Sequence, residues 1–573
     1  MSGLTNVLTA SAPPAPARWL LRRVCTNNPF YVLSAGLFLI GLYLSFGAQT
    51  GDVDTWALMS GLAGYTLLLA ATACLLVRFG NVWDDVRTVL LLVVLMFLAT
   101  SVTFDEVVVL SPQRGLACSL GGLLFAVTLS EGLLRGTRLA LPACYRVPYY
   151  LILALFFLYP LALGPLRGEP QDEALMWGLF AFSGVAGLVF LTLLPAVRRG
   201  AESVRHNGSP WRWPLYPWVL FGLLALAVPG RAVLLCWSMQ LLQGSDLDRV
   251  IFGLYFLVPF GLALAVLLLE AGLVPGRRAV AWVALAVPLG LVALAALGHR
   301  PDAVYQSFLS AFRQRLGGDP LYLTLLASAG FYGYAVLRGA APAAEALTLT
   351  LAALAVVGPD AMERGEPLLP PRPGFLLAAA SVQLALGLRR RNAWRCLLGS
   401  GGAVAFAVLV LPDWARPFRV LVAFHLALAA VLFVGAFDGI LARLLRVVGA
   451  ALVLLACTAA TLGLVAVPAG LPPWALAVYT PLLAALLAGY GLLLGKWPAL
   501  GVATLAVVGW LADVAWRGYA SLRQTVGGLD HIALSLGLFA LALLVSLAKS
   551  GVLPRWLRWA TLGARAPRVI QDG

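Results

Sequence analysis

Between two acidic pairs, Asp84-Asp85 and Asp105-Glu106, the chain reads VRTVLLLVVLMFLATSVTF, apolar after Arg87 apart from a few hydroxyls. From Asp85 to Asp105 is 105 − 85 = 20 residues, which as an α-helix rises about 30 Å, the thickness of a bilayer's hydrocarbon core. The same alternation of apolar run and short polar connection continues to the C-terminus. It predicts spans near 30–48, 55–77, 88–104, 115–134, 147–164, 174–196, 215–237, 250–272, 279–298, 320–337, 341–357, 374–388, 395–412, 419–437, 447–468, 473–494, 498–515 and 531–548. The expected fold is therefore all-α, a polytopic helical membrane bundle of about 18 helices (16–18), with 341–357 and 374–388 barely long enough to cross. Residues 1–28 are read as a disordered or amphipathic cytoplasmic tail, 29–549 as the transmembrane domain and 550–573 as a basic cytoplasmic tail. Arg22 and Arg23 resemble the basic region of a signal peptide, but the apolar run after them is too long for a signal core and reads as an uncleaved span. No connection is long enough to house a soluble domain. The longest outer one, His299 to Asp319, holds AVYQSFLSAFRQRL, apolar at helical spacing; it predicts an amphipathic helix on the membrane surface, or a substrate lid.

Composition agrees with a lipid environment: 61% of residues are hydrophobic and 11% charged, with mean hydropathy +0.91, far from soluble usage. The net charge of +15 raises the possibility of nucleic-acid binding, but the basic residues form short clusters between apolar runs, such as Arg198-Arg199 and Arg389-Arg390-Arg391. That distribution is a topology signal, and no nucleic-acid partner is expected. With both termini cytoplasmic, 27 of the 40 basic residues lie inside, 12 outside and Arg231 within a span, as the positive-inside rule requires. Tryptophans such as Trp19, Trp56, Trp83, Trp177, Trp218, Trp394, Trp414, Trp474, Trp497 and Trp516 fall near span ends, where indole is favoured. A bias toward arginine over lysine suggests a bacterial inner, cytoplasmic, membrane.

The seven cysteines are scattered without a CxxC pair and read as small core residues. No HExxH, phosphate loop or GxSxG elbow is present, and neither cofactor nor metal is expected. Pairs such as Gly491 and Gly495 have the spacing of close helix packing, though a chain with 58 glycines produces that spacing by chance. Spans seven and sixteen both begin Pro-Trp and carry a second proline, which would suit an inverted nine-plus-nine repeat; the halves show no other similarity.

Function is sought among ionisable residues inside spans, which are costly in hydrocarbon and mark pathways. Asp105 and Glu106 come first, because four apolar residues follow them and the helix can continue to Leu110. Adjacent carboxylates there could bind a cation, exchange a proton or act as a base. Arg231, after Pro229-Gly230, is either an anion-binding cation or the structural partner of a buried acid, with Asp105, Glu106, Glu131 and Asp513 as candidates. Glu131 and Glu270 are expected at or near the cytoplasmic interface. His425 is expected to be a hydrogen-bonded core histidine, and Asp513 to pair with Arg517 at i, i+4. Asp360, Glu363, Arg364, Glu366, Arg372, Asp413, Arg416 and Arg419 form a mixed-charge outer rim. Three functions compete: a transport or flippase-like protein, whose partners beyond the bilayer are a small molecule, an ion or a lipid-linked substrate; a membrane enzyme acting on a lipid-linked substrate at the outer face; and a scaffold or assembly subunit.

Overall fold

A backbone in hydrocarbon must satisfy its own N–H and C=O groups, and long runs of Leu, Ala and Val do so as helices. The computed structural model describes residues 29–46, 52–166, 172–205, 207–239, 253–297, 303–359, 372–464 and 474–549, and contains helices but no strand among them. The predicted tails, and Asp360, Glu363, Arg364 and Glu366 of the rim, lie outside the described residues.

Each of the eighteen predicted spans coincides with a helix. They are α1 (Phe30–Phe46), α2 (Asp52–Leu75), α3 (Trp83–Leu110), α4 (Pro112–Gly136), α5 (Ala143–Leu163) and α6 (Asp172–Leu191); then, after a short α7 (Leu194–Arg199), α8 (Leu215–Ser238), α9 (Val258–Leu273) and α10 (Arg278–Leu297). The amphipathic segment forms α11 (Ala303–Leu316). There follow α12 (Pro320–Leu337), α13 (Ala343–Val356), α14 (Pro373–Arg390), α15 (Ala393–Leu409), α16 (Arg419–Gly435), α17 (Ile440–Thr461), α18 (Trp474–Leu494), α19 (Trp497–Thr525) and α20 (Leu529–Lys549). Among the described residues 13 helices are long and apolar enough to cross a bilayer, while Ala343–Val356 and Ala393–Leu409 are among the shorter apolar ones. The molecule is a multi-spanning membrane protein.

The chain forms two units, Met1–Val382 and Gln383–Gly573. The division falls within α14, the twelfth predicted span. In the first unit α3 is central, packing against α1, α2, α4, α5 and α8, and large aromatics including Phe97, Phe156, Phe182, Phe221 and Phe256 are fully buried. In the second unit α17 packs against α16, α18 and α19. Its core is made of smaller side chains, among them Val453, Cys457, Ala484, Ala499 and Ala503.

Several local expectations need correction. Helix α11 does not lay its apolar face on lipid. Tyr305, Phe308, Leu309 and Phe312 are buried in the protein core, with Phe308 and Phe312 ringed by Trp177, Phe180 and Tyr255. Arg315 closes the contact, stacking over the Trp177 ring at 5.2 Å and pairing with Glu173 at 2.5 Å. Asp84 and Asp85, which bound the apolar run, stand in the first turn of α3, where a helix's positive end favours them. Gly491 and Gly495 are not a packing pair. A Cβ at Gly491 would touch Ala499, whereas Gly495 has φ +62° and turns the chain out of α18. Trp56, Trp394, Trp414, Trp474 and Trp497 are exposed near helix ends, as interface anchors should be, whereas Trp516 is exposed within α19, which continues to Thr525. Trp83 and Trp218 instead pack on Trp211 and Phe221.

Candidate functional site

Among its described residues the first unit buries charge in three places, Asp105 with Arg231, Glu270 with its arginines, and Asp319, which accepts from Arg313 Nε; the first two lie at opposite ends of the bundle. Helix α3 runs through Phe104 and Asp105 to Leu110, so Asp105 and Glu106 are both helical, about 100° apart around the axis. Asp105 is completely buried and Glu106 is exposed. The two carboxylates therefore face different surroundings and do not converge on one site.

Asp105 meets Arg231 of α8. The guanidinium holds the carboxylate with two donors: Nη2 lies 2.6 Å from Oδ1 and Nη1 donates to Oδ2. Ser238, two turns further along α8, donates its hydroxyl to Asp105 Oδ2 at 3.2 Å. Arg231 is 4% exposed, so its remaining donors must also find acceptors. Nη2 reaches the carbonyl of Phe156 on α5 at 3.1 Å and that of Ser101 on α3 at 3.4 Å. The Phe156 carbonyl is available because Pro160, four residues on within α5, has no N–H to donate to it. Nε of Arg231 is buried with no hydrogen-bond partner. The pair thus ties α3, α5 and α8 together. Of the partners considered for Arg231, the structure selects Asp105.

Below this pair, between the same helices, lies a cavity of about 120 Å³. Leu90, Val94 and Phe97 of α3 line one wall, Leu133 of α4 another, and Val219 and Leu220 of α8 a third. Its few polar contributors are Arg87, Thr137, Trp211, Tyr216 and the hydrogen-bonded Ser130–Tyr149 pair, 3.0 Å apart. From Phe97 to Asp105 is eight residues along α3, about 12 Å. Cavity and ion pair are therefore stacked on one helix pair, the cavity toward the Arg87 end.

At the Arg87 end of the unit a second carboxylate is fully buried. Glu270 of α9 accepts from Arg338 Nε at 2.7 Å and Nη2 at 2.8 Å, from Arg198 Nε at 3.3 Å, and from the Tyr334 hydroxyl. Sequence reasoning placed Glu270 near this interface but found none of its partners. The available signal was a cationic residue at the same end of three alternate predicted spans, at Arg198, Arg277 and Arg338.

The remaining candidates each have an ionic or hydrogen-bonding partner. Glu131 of α4 is bound by Arg146 Nε at 2.7 Å and by the Tyr150 hydroxyl at 2.5 Å, both from α5. In the second unit His425 uses both ring nitrogens, on the Leu421 carbonyl at 2.7 Å and the Tyr479 hydroxyl at 3.0 Å. Asp513 pairs with Arg517 at 2.9 Å across one turn, and Arg517 also caps the Thr461 carbonyl at 2.7 Å. Among the described residues no three His, Cys, Asp or Glu side chains gather as a metal site. Comparison of the chain with family models, with curated proteins and with solved structures finds no match.

Proposed function

We propose that this multi-spanning membrane protein is a transporter, flippase-like in handling an amphiphilic small molecule or lipid, in the cytoplasmic membrane of a bacterium. The observation that carries the proposal is the Asp105–Arg231 pair, buried where α3, α5 and α8 meet and stacked beyond an apolar cavity on two of the same helices. A buried ion pair costs more in desolvation than a well-packed apolar contact and is weak evidence for stability. Inside a membrane such pairs are characteristic of pathways. Here the pair lies further along α3 and α8 than the cavity, about 12 Å beyond Phe97, and its separation would extend the cavity into a route between α3 and α8 with its own charges lining it. Asp105, Arg231 and Ser238 form the lock, and Arg87 and Trp211 are among the polar residues lining the cavity.

The enzyme alternative loses its principal support, because it rested on two convergent carboxylates. Asp105 is bidentate to a guanidinium and Glu106 points elsewhere, so neither has the surroundings of a general base. The test is lipid movement in proteoliposomes containing fluorescent phosphatidylglycerol, followed by quenching of outer-leaflet fluorescence. The native chain should accelerate movement over protein-free vesicles. Replacing the lock with an apolar pair, Asp105→Leu with Arg231→Met, should leave a folded protein in which movement is abolished. Undiminished movement in that variant would remove the lock, and no movement in the native chain would leave a scaffold.

A further inference from the structure

The Glu270 cluster has a front and a back. Glu270 is 0% exposed, while the side chains of Arg198 and Arg338 that bind it are 47% and 40% exposed. The carboxylate sits behind, in the protein, and two guanidinium groups stand in front of it. One negative charge is shared between two positive ones, so the cluster keeps an excess of one positive charge at its exposed side. Tyr334 adds order, its hydroxyl bonding Glu270 and receiving Arg198 Nη2 at 3.2 Å. A Lys pair would remain mobile, but guanidinium groups fixed through a buried acid are presented in one geometry.

The surroundings of these arginines are apolar and outward-facing. Leu337, immediately before Arg338, is 87% exposed, and Val274, one turn after Glu270, is 44% exposed. In a membrane-spanning chain such positions meet hydrocarbon. The basic edge therefore lies where an apolar, lipid-facing surface gives way to the interface, on the end of the bundle that the charge distribution assigns to the cytoplasm. Arg199, Arg277 and Arg278 add further positive charge in the neighbouring segments.

From this arrangement we infer that Arg198 and Arg338, held by Glu270 and Tyr334, form a binding site for the phosphate headgroup of an anionic phospholipid. The phosphodiester would bridge the two guanidinium groups by charge-assisted hydrogen bonds, and its acyl chains would lie along Leu337 and Val274. Three helix ends meet there, those of α7, α9 and α12, so a bound lipid would act as a clasp on the inner face of the unit. The site is separate from the proposed lock and does not depend on transport.

The full-length protein in nanodiscs, with photoactivatable phosphatidylglycerol or phosphatidylcholine as the probe, tests this. Labelled peptides identified by mass spectrometry should include those carrying Arg198, Val274 and Leu337-Arg338, from phosphatidylglycerol and not from phosphatidylcholine. Arg198→Gln with Arg338→Gln should reduce that labelling by about tenfold, the loss expected for roughly one charge-assisted contact, while labelling elsewhere on the chain is unchanged. If the double variant does not fold, Arg198→Gln alone, which removes the longer and weaker of the two ion pairs, should still reduce it severalfold. Equal labelling by the two lipids, or native labelling in a folded variant, would overturn the site. Displacement of phosphatidylglycerol by millimolar inorganic phosphate would overturn the lipid as ligand in favour of the free anion.

Discussion

Asp105 and Glu106 are neighbours in the chain and strangers in the fold. A helix turns about 100° per residue, so one of two adjacent carboxylates can be wholly buried while the other is exposed, as here. Which of them would be buried depended on the rotation of α3 against α5 and α8, which no local pattern encodes. Their energetics differ accordingly. Asp105→Asn leaves Arg231 charged and buried without its counter-ion and is expected to cost about 3–5 kcal/mol, visible as a lowered unfolding midpoint in detergent. Asp105→Leu with Arg231→Met should recover most of that loss, because removing both charges also removes their desolvation cost. Glu106→Gln should change stability by less than about 0.5 kcal/mol; a drop as large as that of Asp105→Asn would show that Glu106 is engaged after all. The partner of Arg231 could be narrowed in the sequence to four acids but not chosen. Pro160 supplied an unread clue, since a proline inside a span frees a carbonyl that a buried arginine can use.

Among the helices, α11 shows why amphipathicity does not name its own partner. Tyr305, Phe308, Leu309 and Phe312 follow the 3.6-residue period and so predict a one-faced helix, but an apolar face is equally satisfied by lipid or by protein. The aromatic ring of Trp177, Phe180 and Tyr255 decided for protein. Phe308→Ala is accordingly expected to destabilise the first unit by about 3–5 kcal/mol, as for a buried aromatic; a surface-lying helix would lose membrane affinity with its fold intact, and thermal unfolding in detergent distinguishes the two. The α9–α10 hairpin is set by a close backbone approach. A Cβ on Gly272 would stand 2.6 Å from the Ala281 backbone nitrogen, so Gly272→Ala should push α10 away at a cost of about 1–3 kcal/mol. The same unfolding measurement checks it, with a gain of up to about 1 kcal/mol predicted for Gly290→Ala, where the added Cβ meets open space within α10.

Topology is the property shared by all these helices. Contacts such as Glu270 with both Arg198 and Arg338, and Asp105 with Ser238, join ends that an alternating up-and-down path would bring to the same side. Orientation rests on the basic residues alone, and so does the crossing of short α15, whose 17 residues span about 26 Å. Single cysteines at Asn392 and Asp413, in a chain cleared of its seven native cysteines, test both. A membrane-impermeant maleimide applied to intact cells should label position 413 and not 392. Labelling of 392 alone would invert the protein, and labelling of both would mean that α15 does not cross.

The long apolar runs were legible because the bilayer imposes one rule on each of them separately, about 20 apolar residues, internally hydrogen-bonded, with polar ends, and among the described residues 13 helices meet it by length and composition. The pairing of Asp513 with Arg517 and the hydrogen-bonded role of His425 were readable for the same reason, being problems each side chain must solve nearby. Asp105 with Arg231, Glu270 with Arg198 and Arg338, the cavity beside α3 and the seat of α11 were not readable. Each depends on how helices far apart in the chain rotate and pack, and hydrocarbon exerts no hydrophobic force that would make one packing follow from the pattern of apolar residues. Shape, close backbone contact and a few buried charges choose it, and those act only between helices already assembled.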